Sequence, residues 1–282
     1  MTDILRSVAD VQQFRRANAG KTSGLVPTMG NLHNGHLSLV NIAQTKADLS
    51  VVSIFVNPTQ FAPDEDLHSY PRTFEKDLQK LQNLGVDAIF SPTVKDIYPY
   101  GKDDTIAIAM PDAMTRILCG INRPTHFQGV ATVVAKLLQI IRPTVAVFGE
   151  KDFQQLTIIR RLVAELFIDI DICSGKIIRE DDGLAMSSRN QYLSPDERQQ
   201  AAALSQTLEW CRQQLLSGQP VKVVLKQGKE KLHHAGFVVD YLDFREVTTL
   251  AGNPTLDDGI LLAAARLGTT RLIDNLRMVE KE

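Results

Sequence analysis

Cysteine is scarce in this 282-residue sequence: Cys119, Cys173 and Cys211 are far apart and form no C-x-x-C pair. That spacing argues against both a disulfide scaffold and a zinc site, and it fits a reducing cytosol. An excess of one charge is lacking as well. With 31 Lys+Arg against 33 Asp+Glu the formal net charge is -2, so there is no global electrostatic footprint for nucleic acid, although local basic patches stay open. No apolar run reaches membrane-spanning length. Met1 to Asp10 carries acidic residues and no continuous apolar stretch, so a signal peptide is not expected either. Internal repeats, low-complexity tracts and a long linker are missing too. At this length the expectation is two domains, each with its own core, joined by a short hinge.

From residue 24 to about 172, short apolar runs alternate with amphipathic segments. This is the pattern of an α/β domain, a parallel sheet flanked by helices. Strands are expected at Leu25-Val26, Leu49 to Val56, Val86 to Phe90, Thr105 to Met110, Val145 to Phe148 and Ile168 to Ile172. A period near 3.6 marks helices through Leu37, Val40, Ala43 and Ala47, through Phe74, Leu78 and Leu81 to a stop at Gly85, and through Val130, Val133, Val134, Leu137, Leu138 and Ile141. Another should run from about Asp152 to Leu166. The composition changes after about residue 175. Ser194-Pro195-Asp196-Glu197 reads as a capping box with proline at the first helical position, opening a long helix past Trp210 towards Gly218. A helix from Val221 to His234, stopped by Gly236, and strands at Phe237 to Phe244 and Ile260 to Ala264 make a smaller α+β domain. The expected domains are 1–175 and 176–282.

The richest stretch is Pro27-Thr28-Met29-Gly30-Asn31-Leu32-His33-Asn34-Gly35-His36. It sets two histidines, spaced by three, where an apolar strand turns into a helix. A helix N-terminus offers unpaired N–H groups and the positive end of the dipole, which favour phosphate. Gly30 and Gly35 let the backbone approach a ligand, and imidazoles can donate hydrogen bonds to phosphoryl oxygens. One histidine could simply cap the turn; two beside two glycines point to nucleotide activation.

Ligands of open parallel sheets collect at the carboxyl ends of the strands, and other unusual polar residues fall there. Asn57 and Gln60 follow one strand, and Gly149-Glu150-Lys151-Asp152 another. Lys151 can hold phosphate as a point charge, while Asp152 can cap a helix or hold a ribose. Met186-Ser187-Ser188-Arg189 combines two hydroxyls with a guanidinium in a compact anion clamp. Gln60 and Gln155 can read a hydroxyl or carboxylate without demanding charge. Val130, Val133 and Val134 either line the apolar side of that pocket or pack in the core. Arg123 and His126, before a helix start at Phe127, are candidates to complete the anion site. Asp64-Glu65-Asp66 reads as a solvated acidic loop rather than a Mg2+ site. Gly20-Lys21-Thr22 mimics the end of a Walker A loop, but Arg15 stands where its first glycine belongs, and it precedes the strand it should follow.

Pro27 to His36, Phe55 to Phe61, Arg123-Pro124-Thr125-His126-Phe127, Phe148 to Gln155, Met186 to Arg189 and Arg271-Leu272-Ile273-Asp274-Asn275 together closely resemble the pantothenate synthetase (pantoate:beta-alanine ligase) family, over nearly the full chain. The resemblance implies an H-x-G-H nucleotidyltransferase with a Rossmann-like sheet domain and a smaller C-terminal lid, the serine-rich segment standing as counterpart of a mobile K-M-S-K-S loop. It implies two steps: ATP and (R)-pantoate give pantoyl adenylate and pyrophosphate, and beta-alanine then displaces AMP. By motif, His36 would be the proton donor and His33 its partner on the phosphates. Met29 to His36 (Met29, Gly30, Asn31, Leu32, His33, Asn34, Gly35, His36), Gly149, Glu150, Lys151, Asp152, Ile178, Met186, Ser187, Ser188 and Arg189 would surround ATP, with Lys151, Ser187, Ser188 and Arg189 catalytic on the phosphates. Gln60 would bind pantoate and beta-alanine and Gln155 pantoate, while Pro27, Met29, Val130, Val133 and Val134 hold its gem-dimethyl carbon.

Mg2+ would come with ATP and not as a resident metal. A cytoplasmic homodimer without nucleic-acid or membrane partners is implied, as is a swing of the second domain on substrate binding. One departure stands out: Leu118-Cys119-Gly120 lies where many bacterial members have Leu-Glu-Gly. Cys119 is not expected to be a nucleophile, since the chemistry has no use for one. The rivals are another H-x-G-H adenylyltransferase of cofactor biosynthesis, or a non-catalytic nucleotide-sensing module.

Overall fold

A computed structural model describes residues 2–62, 65 and 67–279. The chain forms two compact units: residues up to Glu150 together with Ile158–Lys176, and Lys151–Thr157 together with Ile177 onward. The first is built in the order β1 (Asp3–Leu5), α1 (Val8–Ala17), β2 (Ser23–Thr28), α2 (Asn34–Lys46), β3 (Leu49–Ile54), α3 (Phe74–Asn83) and β4 (Ala88–Phe90). Three short helical turns, α4 (Val94–Ile97), α5 (Asp112–Thr115) and α6 (Cys119–Asn122), precede α7 (His126–Ile141), β5 (Val145–Gly149), α8 (Phe153–Glu165) and β6 (Asp171–Gly175). Phe153–Thr157, the opening of α8, groups with the second unit.

The six strands form one parallel sheet in the order β1-β4-β3-β2-β5-β6. Alternation along the strands sends Val26, Val52, Ile89 and Val147 to one face, where they meet Val40 and Ala43 of α2 and Leu81 of α3. Gly24 lies on that face too, and a β-carbon there would stand 3.1 Å from the Ala43 β-carbon, so glycine sets how closely α2 approaches. Leu25, Val51 and Ala88 turn to the other face. The chain leaves β2 towards β3 on one side and leaves β5 towards β6 on the other. The direction of winding therefore reverses between β2 and β5, the point where such sheets open a crevice at the strands' carboxyl ends.

The second unit holds α9 (Pro195–Gln200), α10 (Ala203–Leu216), α11 (Val221–His234) and an antiparallel sheet of β7 (Val238–Glu246), β8 (Gly259–Leu267) and β9 (Thr270–Arg277) in that order. Leu204, Leu208, Cys211 and Leu215 of α10 and Val224 and Leu232 of α11 pack with Leu261, Ala263 and Ala265 of β8. Burial of Cys211 in this cluster pushes its thiol up to about 12. No helix among the described residues is long and apolar enough to cross a membrane.

Several expectations need correction. Thr105 to Met110 is not a strand. Ile106 is 87% exposed, and the Ile108 amide donates to the Thr132 hydroxyl at 2.9 Å instead of to a ladder. The strand expected at Ile168 starts at Asp171, because the Ile168 amide still bonds back to Val163 and Phe167 takes a left-handed φ of 50°, finishing α8. The Ser194 capping box forms, with Glu197 closing it, but its helix stops after one turn and a half. The chain restarts at Ala203 after Ala201 and Ala202, which are buried. β1, α1 and β9 were not anticipated as elements. As a test of the core, Leu81→Ala, at a site with no exposure, should lower the unfolding free energy by about 2–5 kcal/mol in urea titration without altering the β-sheet circular dichroism.

Candidate active site

In the first unit the turn after β2 delivers the two histidines. Gly30 and Asn31 both take positive φ, 84° and 49°, which glycine accepts freely and asparagine tolerates. One carboxylate holds this double reversal. Asp77 of α3, 1% exposed, accepts the Asn31 amide on Oδ2 and the Leu32 amide on Oδ1, each at 2.8 Å, and the Thr73 hydroxyl at 3.0 Å. Lys80, one turn further, donates Nζ to the Leu32 carbonyl. Thr28 closes the other side, accepting the Gly30 amide at 3.2 Å and donating to the Ser53 carbonyl at 2.8 Å.

His33 is then the N-cap of α2 and His36 its third residue, in a reciprocal capping box. The Gly35 amide donates to His33 Nδ1 at 3.1 Å, and the His33 amide to His36 Nδ1 at 3.4 Å. The rings stand 4.2 Å apart. A nitrogen that accepts carries no proton, so each neutral ring keeps its proton on Nε2. Both imidazoles therefore carry Nε2–H donors at a helix N-terminus, an arrangement suited to phosphoryl oxygens.

After β3, Asn57 caps the 3-10 turn Pro58–Gln60. Its Oδ1 accepts the Tyr98 hydroxyl at 2.6 Å and the Thr59 hydroxyl at 3.1 Å, and its Nδ2 donates to Gln60 Oε1 and the Gly129 carbonyl, both at 3.2 Å. Gln60, 8% exposed, donates Nε2 to Met29 Sδ at 2.8 Å. The Gln60 amide is thus oriented from both ends, and it ties the β2 turn to the β3 turn. At Gly129 a β-carbon would collide with the Thr59 carbonyl, so only glycine lets α7 lie this close. Burial raises the Tyr98 phenol, partly offset by its bonds to Thr59 and Asn57. Val130, Val133 and Val134 are all buried in α7.

Arg123 and His126 do not form an open anion site. The Arg123 guanidinium is closed onto Glu65 through Nε and Nη2, and its Nη1 lies 3.2 Å from His126 Nε2, whose Nδ1 meets the Gln60 carbonyl at 2.8 Å. The cluster braces Gln60 from behind. Asp64 and Asp66 lie outside the described residues; among those described, no three His, Cys, Asp or Glu side chains are grouped to hold a metal ion. At the end of β5, Glu150 accepts the Ser174 hydroxyl at 2.9 Å.

In the second unit Lys151 Nζ stands 3.7 Å from Asp152, with Gln155 half-buried in the first turn of α8. Ile178 pairs with Met186, whose amide donates to its carbonyl at 2.9 Å, and an antiparallel bridge joins Arg179 to Ala185. Ser187 caps the following 3-10 turn through Oγ, which accepts the Arg189 amide. Ile178 and Met186 to Arg189 are therefore the two ends of one small hairpin. Asp77, Lys80 and Tyr98, which shape the first-unit cluster, carry no local sequence signal for that role, and Glu65, expected in a solvated acidic loop, is instead paired with Arg123. Only the acidic first turn of α3 hinted at Asp77.

A parallel sheet with a histidine-capped helix at its point of reversal is the arrangement expected of the H-x-G-H nucleotidyltransferase class. Within that class a family model described as pantoate-beta-alanine ligase matches residues 3–277, and the chain belongs to that family. A pantothenate synthetase of Idiomarina loihiensis is 49% identical over 98% of this chain and 97% of the relative. One of Geobacter sulfurreducens is 48% identical over 99% of both. The crystal structure of pantothenate synthetase from Thermus thermophilus superposes with a TM-score of 0.93 at 41% identity, covering 99% of this chain and 100% of that one. Pantoate-beta-alanine ligase from Francisella tularensis, complexed with beta-gamma ATP and beta-alanine, gives 0.86 at 34% identity over 100% and 99%.

Asp77→Ala should strand the buried Leu32 amide, costing roughly 1–3 kcal/mol, and slow adenylate formation at least about tenfold by loosening His33; a melt and a pyrophosphate-exchange assay read the two. A second expectation concerns pH. Burial raises the Glu65 carboxyl, and the Arg123 hydrogen bonds and charge more than offset this, leaving it below the ordinary glutamate value of 4.5. The pair's stabilisation is thus present above that value and lost as pH falls through the lower folded one. The stability gap between the native chain and Arg123→Leu should be full well above the ordinary value of 4.5 and narrow as pH falls below it, read by urea titration across an acid pH series.

Proposed function

We propose that the chain condenses (R)-pantoate with beta-alanine through an enzyme-bound pantoyl adenylate, and that the capping histidines act on the phosphates. The observation that carries this reading is the reciprocal cap of His33 and His36, which commits both Nδ1 atoms to backbone amides and so puts the proton of each neutral ring on Nε2, the donor a phosphate would take. A carboxylate is a poor acyl donor. In the first step a pantoate carboxylate oxygen bonds to the α-phosphorus as the bond to the β-phosphate oxygen breaks, releasing pyrophosphate. In the second the beta-alanine ammonium gives a proton to solvent, the free amine bonds to the acyl carbon, the acyl carbon–oxygen bond to the phosphate breaks, AMP leaves, and the amide nitrogen sheds its second proton to solvent.

No covalent enzyme intermediate is needed, so the work is alignment and neutralisation of charge developing on the phosphates. In this reading His36 donates towards the departing phosphates with His33 beside it, and Lys151, Ser187, Ser188 and Arg189 hold the triphosphate. Met29 to His36, Gly149 to Asp152, Ile178 and Met186 enclose ATP. Gln60 reads pantoate and then beta-alanine, and its amide, fixed between Met29 and Asn57, is prepared for that task. Gln155 reads pantoate, and Pro27, Met29, Val130, Val133 and Val134 meet its methyl groups. Mg2+ enters with ATP, held mainly by phosphates and water, and screens their charge. A cytoplasmic homodimer completes the reading; three cysteines outside any disulfide suit a reducing compartment, and dimerisation rests on the family.

Purified protein with Mg2+ and ATP should exchange labelled pyrophosphate into ATP only when pantoate is present, and should need beta-alanine to release AMP. Exchange with a different acid, or AMP retained in the product, would replace this reading with another adenylyltransferase. His36→Ala should fold normally and lower the exchange at least about a hundredfold. Near-native exchange by that variant would remove His36 from the chemistry.

A further inference from the structure

The run Arg271-Leu272-Ile273-Asp274-Asn275 has no place in the roles above, yet it occupies the middle of β9, where a buried charge needs a reason. Asp274 is 3% exposed, and its carboxylate takes both arms of Arg179: Nη1 donates to Oδ2 at 2.7 Å and Nη2 to Oδ1 at 3.0 Å. Oδ1 also accepts the Asn275 amide at 2.8 Å. Asn275, 4% exposed, reaches out with Nδ2 to the Lys151 carbonyl at 3.0 Å. Two residues on, and so on the same strand face, the Arg277 guanidinium stands 5.0 Å over the Phe153 ring. One face of β9 thus grips the segment 151–153 by its backbone and by its aromatic ring. The same Arg179 opens the small hairpin that ends in Met186 to Arg189, and its Nη1 donates to the Gly183 carbonyl inside that hairpin at 2.9 Å.

We propose that Asn275 is a positioning residue for adenylate formation: by holding the Lys151 carbonyl to β9 it sets where the Lys151 ammonium stands, with the Asp274–Arg179 pair as its anchor. The proposal rests on the reading of Lys151 as a phosphate ligand. Lysine is a point charge on a flexible stem, so the place from which that stem departs governs how well the ammonium meets a phosphate. Misplacement by about 1 Å is enough to cost roughly a hundredfold in rate. Anchoring Lys151 to β9 also fixes it with respect to Ile178 and the Ser187-Ser188-Arg189 turn, whose hairpin hangs from Arg179 on the same carboxylate. Three stretches distant in sequence are thereby held as one set.

The test separates the two half-reactions. Single-turnover formation of pantoyl adenylate, and aminolysis of supplied pantoyl adenylate by beta-alanine, are measured on full-length Asn275→Ala, Lys151→Ala and the double variant. Asn275→Ala should slow adenylate formation roughly tenfold to a hundredfold and leave aminolysis within about twofold. In the Lys151→Ala background the same change should add less than about twofold, because residues that act through one another do not add. Asn275→Leu, close in volume, should behave like Asn275→Ala and serves if the alanine variant does not fold. Native adenylate formation by these variants, equal losses in both half-reactions, or a full further loss on top of Lys151→Ala would overturn the proposal. So would failure of both Asn275 variants to fold. Native adenylate formation by Lys151→Ala would instead overturn the reading of Lys151 itself, and the proposal with it.

Discussion

A strand that ends at Thr28 and a helix that begins at Asn34 leave five residues in which to reverse the chain and aim two imidazoles. The turn manages this on the Asp77 carboxylate, which divides its two oxygens between successive backbone amides. Two consecutive residues at positive φ would otherwise be free to relax, and the Asn31 and Leu32 amides, lying between strand and helix, have no place in either hydrogen-bond pattern. A carboxyl group has two oxygens set a fixed distance apart, so one side chain can hold two neighbouring amides at once. The rest of the first-unit site is built outward from this point. Met29, just before the turn, meets Gln60; Gln60 meets Asn57; and Asn57 reaches Tyr98 and α7.

The second unit repeats the device with different parts. There Asp274 is the buried carboxylate, Arg179 its counter-charge, and a strand replaces the turn. In both units a carboxyl group is placed where burial is costly and is compensated by hydrogen bonds, a combination that gains little net stability but fixes geometry. Such anchors suit a reaction in which the protein supplies no nucleophile and everything depends on where donors stand relative to a phosphate.

Much of this was legible in the sequence, and the exceptions have physical causes. The histidine pair, its place at a strand-to-helix turn, and the carboxyl-edge locations of Asn57, Gln60 and Gly149 to Asp152 follow from a change of hydrophobic period, which is a local signal. Five of the six strands of the parallel sheet followed from alternation of apolar runs, while β1 and α1 at the start were too short or too polar to register. Thr105 to Met110 misled because branched residues favour strands only when a neighbouring strand offers partners, and here Thr132 offers a hydroxyl instead. Asp77 and Asp274 were unreadable as anchors for a different reason. The residues they hold lie 46 and 95 positions away at their furthest, and no window of sequence contains such a pair. Arg123 was misread for the same cause: Glu65, its partner, is 58 residues distant.

A residue selected only to start α2 would be serine, threonine, aspartate or asparagine, whose short oxygen-bearing side chains reach the exposed amides with least effort. Histidine at position 33 does the same task with Nδ1, which means the cap gains nothing from the remainder of the ring. The far nitrogen is surplus to starting the helix. One nitrogen of a single side chain thus serves the helix, and in the proposed reading the other serves the phosphate, so an asparagine in its place would keep the cap and remove that second donor.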